Sequence, residues 1–298
     1  MKLLRAATLT VADVDATAER YQRWLEYTLV ESGTVDADLA ARWDAPATAG
    51  RAYRVLRPAS GTPIYLRLVQ GDIPEAYRPL RSYGWAAIEI CVQDVLAVAR
   101  RMENSPFEII GPPREIPGLD AIYPMQVRGP DGEIAYFTQI RSDLPAFDLP
   151  RAGAAIDHLF ILVMACSDLP ASLRWMVSHT GLAIGREAME IEYTMLANAF
   201  GLPLDGLHTI ATMVHERDVF LELDQYPDAA ETRPCTPGQL PPAVSIGTMA
   251  APDIDTLYAA RTDEWISPPA PHDSVLYGGR KMGTLRDPDG ALIELVAC

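Results

Sequence analysis

"RDPDGALIELVAC" (Arg286–Cys298) closes the chain, and "RGPDGEIAYFTQI" (Arg128–Ile140) stands in the middle of it. Each joins a Pro-Asp-Gly turn to an apolar run of strand character. Glu294 in the later copy corresponds to Tyr136 in the earlier one. The two stretches therefore read as equivalent strand positions of a duplicated segment, carrying different chemistry.

The duplication extends over most of the chain. "RAATLTVADVDATAERYQRWL" opens the first half and "DHLFILVMACSDLPASLRWMV" the second. Both run from an aliphatic strand through a polar break into a helical pattern. Val14, Ala18, Tyr21, Leu25 and Thr28 recur near one face in the first, and Leu169, Leu173, Met176 and Thr180 in the second. Asp168 reads as an N-cap with Pro170 in the first turn, and Gly181 as a stop. "GTPIYLRLVQGD" corresponds to "ERDVFLELDQYPD", and "WAAIEICVQDVLAVARRM" to "VSIGTMAAPDIDTLYAAR". The spacing predicts two strand-helix units with further strands in each half. The proline- and glycine-bearing stretch at 141–153 reads as a linker between a domain at 1–140 and a domain at 154–298.

Composition bounds the rest. A chain of 298 residues, 49% hydrophobic and 22% charged, suits a soluble two-domain protein. A net charge of −15 argues against nucleic acid or an anionic membrane as partner. "LFILVMAC" is one buried strand, too short to span a bilayer. No secretory leader is read at the N-terminus, and four well-separated cysteines suit reduced thiols in a cytoplasm. The expected partner is a small-molecule substrate, with the chain a monomer or homodimer.

Strand-helix-strands arranged twice per half and ending in "DPDGALIEL" resemble the vicinal oxygen chelate superfamily, which includes glyoxalase I, extradiol dioxygenases and bleomycin-resistance proteins. The resemblance implies an α+β fold of four βαβββ modules paired into two half-barrel domains. It also implies inward-facing ligands on the first and last strands of the modules. In the second half these positions fall on His158, Glu222, Ile246 and Glu294, and in the first on Ala6, Arg67, Ala87 and Tyr136. His158, Glu222 and Glu294 are thus the expected ligands of one divalent ion (Zn, Mn, Fe(II), Ni or Co), with Ile246 where a second histidine is usual. The first half is expected to be structural.

Glu294, Tyr277 and Lys281 are the expected catalytic groups, the last two as substrate-orienting residues. His208 and His215 cannot share one cavity, being seven residues apart on one strand. His179 reads as a helix C-terminal charge. "REAMEIEYTMLANAFGLPLDG" (Arg186–Gly206) is expected to add a helix, packed on the core or closing an apolar pocket as a lid. The implied activity is metal-dependent lyase or isomerase chemistry on a small oxygenated substrate. A ring-cleaving extradiol dioxygenase and a metal-free binding or resistance protein are the alternatives.

Overall fold

The computed structural model describes residues 2–298, with the side chain of residue 187 left aside. Four βα modules follow one another. The first comprises β1 (Leu4–Val11), α1 (Val14–Leu25), β2 (Thr28–Thr34), α2 (Ala37–Arg42), β3 (Ala52–Arg57) and β4 (Tyr65–Gln70). The second comprises β5 (Gly84–Val92), α3 (Val95–Met102), β6 (Glu108–Gly111), β7 (Ile122–Arg128) and β8 (Ile134–Ile140). The third holds β9 (Ile156–Cys166), α4 (Leu169–Thr180), β10 (Ala183–Glu192), α5 (Thr194–Phe200), β11 (Leu207–His215) and β12 (Asp218–Gln225). The fourth holds β13 (Ala243–Ala251), α6 (Ile254–Ala260), β14 (Trp265–Pro271), β15 (Lys281–Arg286) and β16 (Leu292–Ala297). The fold is α+β, as expected.

In every module an aspartate ends the polar break and caps the first helix. Asp13, Asp94, Asp168 and Asp253 each accept backbone N–H bonds from the first helical turn. Each satisfies donors that a helix start leaves open. Gly181 closes α4 in the left-handed conformation.

The modules pair in a nested order. One sheet runs β14-β15-β16-β13-β1-β4-β3-β2, joining the first module to the fourth. The other runs β10-β11-β12-β9-β5-β8-β7-β6, joining the second to the third. The seams are the antiparallel pairs β1–β13 and β5–β9. Neither sheet is built from one half of the sequence, so the division into sites at 1–140 and 154–298 is not the division into half-barrels.

The sheets share a core in which Trp85 and Leu162 of one meet Leu4, Met249 and Leu295 of the other. Gly247 marks the closest approach: a Cβ there would lie 2.5 Å from the Trp85 ring and 2.8 Å from Leu162. The Pro-Asp-Gly turns tie the same seam. Gly132 and Gly290 sit at φ +84° and +89°, a conformation glycine adopts at no steric cost. The preceding aspartates reach across sheets. Asp131 accepts from the Ala12 amide and the Thr17 hydroxyl, and Asp289 from the Ser167 amide. The motif that reveals the duplication is therefore a clasp between half-barrels.

"REAMEIEYTMLANAFG" departs from its expectation. Residues 183–192 extend as β10, and only Thr194–Phe200 is helical. β10 pairs with β11 along its length, and that cross-strand pairing outweighs the helix preference of Glu, Ala and Met.

Candidate functional site

Strand parity turns alternate residues of each sheet into its cleft. Register then decides which cleft-facing residues stand level. In the first sheet Thr8 pairs with Arg67, and Thr248 with Glu294. In the second, Glu89 pairs with Tyr136, and Val163 with Glu222. These two sets of four are the corresponding mid-sheet positions, and they hold opposite electrostatic solutions.

The first set is closed. Arg67 and Glu294 are 3% and 0% exposed and form an ion pair, with Arg67 Nη2 3.1 Å from both Glu294 oxygens. The Tyr277 hydroxyl donates to Glu294 Oε1 at 2.7 Å, the Thr248 hydroxyl to Oε2 at 2.6 Å and the Trp43 indole N–H to Oε1 at 2.6 Å. Arg67 also donates to the Thr8 and Tyr277 hydroxyls. Burial alone would raise the Glu294 pKa, but Arg67 and the three donors hold it below its ordinary value. A carboxylate so fully paired has no lone pair free for a metal. Glu294 is therefore engaged on both oxygens by Arg67 and neutral donors, and Tyr277, expected to orient substrate, is one of those donors. Lys281 lies at the surface, 2.7 Å from Asp255.

The second set is open. Glu89 is 6% exposed and accepts only from the Thr138 hydroxyl at 2.5 Å. Glu222 is half-buried and faces the same cleft. Asp224, two residues further along β12, is completely buried, with neither oxygen in a formed hydrogen bond. It lies close enough to Tyr193 and Glu222 for both to bias its proton. The Tyr136 and Tyr193 hydroxyls bond to each other. The cleft encloses about 400 Å³ between mostly apolar walls that include Phe160, Ile161, Met189, Met195 and Ile210.

Among the described residues no arginine or lysine pairs with these three carboxylates. Desolvation consequently pushes Glu89 up to about 7 and Asp224 up to about 8. Glu222 is raised well above its ordinary value by burial and by its two acidic neighbours. Acids that stay protonated in the fold but ionise in the unfolded chain make stability pH-dependent. Glu89 contributes fully below about pH 4.5, and its contribution falls as the pH rises towards about 7. Glu89→Gln should therefore gain stability relative to the parent, by on the order of a few kcal/mol, between pH 5 and pH 8. Urea midpoints of chelator-treated protein at both pH values measure this, and an unchanged difference contradicts the assignment.

His158 does not join Glu222. It lies five residues before Val163, the β9 partner of Glu222, which is about 16 Å at the ~3.3 Å rise of a strand. It instead meets Cys91 and Asp157, the only trio of ligand-bearing groups among the described residues whose donor atoms lie within 4.8 Å of one another. That trio is poorly disposed to hold an ion. The Asp157 oxygens are taken by the Ser60 hydroxyl and the Gly153 amide. Asp157 and Cys91 both address the same imidazole nitrogen, Nδ1. Burial pushes the Cys91 thiol up to about 12, away from the thiolate a metal requires.

The expected set of His158, Glu222 and Glu294 is thus divided between two sheets and two ends of a strand. Glu89 is the acidic residue that the expectation passed over. The positions expected at Ala6, Ala87 and Ile246 lie one pleat repeat from Thr8, Glu89 and Thr248, on the correct face but at the wrong height. His208 stands edge-on to Tyr193, while His179 stacks on Trp175 and bonds Glu264 at 2.6 Å.

The fold has close counterparts. Maize glyoxalase I (Zea mays) superposes with a TM-score of 0.65 at 17% identity, covering 100% of this chain and 92% of that one. A putative dioxygenase from Bacillus subtilis gives 0.64 at 14% identity, covering 99% and 84%. The likeness is one of architecture: paired βαβββ half-barrels. No protein-family model matches the chain, and no curated protein does. Among the described residues no helix is long and apolar enough to cross a membrane.

Proposed function

We propose that this chain, which has the half-barrel architecture of glyoxalase I, is a lyase or isomerase that moves a proton on a small oxygenated organic substrate. The reaction takes place in the cleft between the second and third modules, with Glu89 and Glu222 as acid and base. One observation carries the reading: Glu89 and Glu222 line a mostly apolar cleft, Asp224 is buried two residues along the same strand from Glu222, and none of the three forms a salt bridge among the described residues, although Arg186 lines the same cleft. Burying carboxylates unpaired is costly, and the sister sheet avoids that cost with Arg67.

The cost has a chemical return. A carboxyl group titrating near 7 can both take and return a proton at neutral pH. Glu89, pushed up to about 7 by burial, serves as the base, drawing a proton from carbon next to a carbonyl. Glu222, whose proton burial and the neighbouring Asp224 favour, delivers a proton to the neighbouring carbon or oxygen. The Tyr136–Tyr193 hydroxyl pair offers donors to a substrate oxygen, and Phe160, Ile161 and Met195 exclude water.

The donor set also suits a hard divalent ion. Asp224 has two unpartnered buried oxygens, and oxygen ligands without imidazole favour Mg or Mn over softer metals. Glu89 and Glu222 would hold the ion, and bound there it would act as a Lewis acid towards substrate oxygens. No histidine lines the cleft, which disfavours the ring-cleaving alternative with its usual two imidazoles and one carboxylate.

Two measurements test the proposal. A panel of α-hydroxy ketones and vicinal dicarbonyls in D₂O should show catalysed carbon-bound H/D exchange by NMR. Exchange by none, with and without Mn²⁺, leaves the metal-free binding reading in its place. Calorimetry of Mn²⁺ binding at pH 7 in buffers of different ionisation enthalpy should show release of about one proton or more per ion. The release should shrink in Glu222→Gln. Binding without proton release would count against these carboxylates as the ligands.

A further inference from the structure

A second cavity of about 610 Å³ adjoins the carboxylate cleft, and Ile110, Met195 and Asn198 line both. Its lining differs in charge. Arg78, Arg81 and Arg128 face it with Ser82 and Asn198, against the single carboxylate of Glu231. Arg128 is engaged by Glu108. Arg78 and Arg81 form no salt bridge among the described residues. In a chain of net charge −15, with 40 acidic residues against 25 lysines and arginines, two such neighbouring arginines are conspicuous.

Both are held in place by the backbone rather than by acids. Arg78 donates to the Glu75 and Tyr77 carbonyls. Arg81 donates to the Ala199 carbonyl at 2.9 Å, and its guanidinium lies 4.6 Å from the centre of the Phe200 ring. Each keeps further N–H donors and its whole charge. α5 supplies Ala199 and Phe200 to Arg81, and Met195 and Asn198 to the shared wall, so the arginine is positioned by the element that bounds the cleft.

We propose that Arg78 and Arg81 form an anion subsite for the substrate of the neighbouring cleft. That substrate is then an elongated molecule with an apolar body over Ile161 and Met195 and a terminal carboxylate or phosphate in the second cavity. The assignment rests on the cleft being the catalytic site. Separation supports it: the carboxylates would repel an anionic group placed beside them, whereas the arginines offer that group a charged, forked partner on the far side of an apolar wall.

Fluorescence titration with cis-parinaric acid and its methyl ester tests the subsite, because the two differ only in charge. The acid should bind the parent protein more tightly than the ester. Arg78→Gln/Arg81→Gln should weaken the acid by about tenfold or more and leave the ester within about twofold. Ile161→Trp, which fills the cleft, should weaken both. Thermal midpoints of the variants establish that each is folded. Competition by dodecanoate and by dodecyl phosphate identifies the preferred anion, and displacement by either supports the subsite. Equal losses for acid and ester in the double variant, no loss for either, or no displacement by either competitor overturns it. Glu222→Gln separates this outcome from failure of the catalytic reading: it should abolish H/D exchange while parinarate affinity stays within about twofold.

Discussion

Glu294→Gln should destabilise the protein by about 3–5 kcal/mol, because it leaves the Arg67 guanidinium buried without a counter-charge. The amide retains the volume of the side chain and can still accept from Trp43 or Tyr277. What it cannot supply is the negative charge opposite a side chain that is 3% exposed. Arg67→Met should cost a comparable amount by leaving the carboxylate unpaired. The double replacement Arg67→Met/Glu294→Leu should recover most of the loss, since apolar groups of similar volume often replace a buried ion pair at little net cost. Urea unfolding of the three variants measures the coupling. Additive losses in the double variant would mean that the two side chains act independently, and the closed network would be refuted. Mn²⁺ binding should persist in the folded fraction of every variant, because that carboxylate lies in the other sheet.

Glu222→Gln should lower turnover of any substrate found in the exchange panel by about 10²–10⁴-fold, the range for removing a positioned acid or base. Glu89→Gln should do the same and should also remove the limb of the pH–rate profile near 7 that belongs to the base. KM should change little in the metal-free assay, because neither carboxylate is assigned to hold the apolar body. A loss confined to KM would make these residues binding groups. Rates within about threefold of the parent in both variants would remove the cleft from consideration as a proton-transfer site.

The sequence carried the fold because its punctuation is local. The Pro-Asp-Gly turns, the aspartate before each first helix and the alternation along "LFILVMAC" depend only on near neighbours. The face of each strand was legible for the same reason, which is why Ala87 and Glu89, or Ile246 and Thr248, fall on the same side. How far along a strand two partners stand level is set by cross-strand register, and no residue of "WAAIEICV" announces it. Hence Glu89 stayed hidden inside an apolar run, and His158 was placed level with Glu222 although the register sets them apart. The partner of each module was equally out of reach. Pairing of the outer modules joins residues more than two hundred positions apart, and the resemblance between halves suggested the opposite grouping. The role of Arg67, neutralising Glu294, follows only once the first and fourth modules share a sheet.

The nesting sets an order of completion during synthesis. The half-barrel with the open carboxylates is encoded by one continuous stretch, from Gly84 to Gln225. It can close as soon as that stretch has emerged from the ribosome. The half-barrel with the buried ion pair is written in two separated stretches, β1–β4 and β13–β16. Its leading module must wait, with the β1 edge unpaired, until β13 has been made. Exposed strand edges invite association with other chains. The newborn protein is therefore most vulnerable at its first module while the second and third are translated, and Glu294 neutralises an arginine made more than two hundred residues before it.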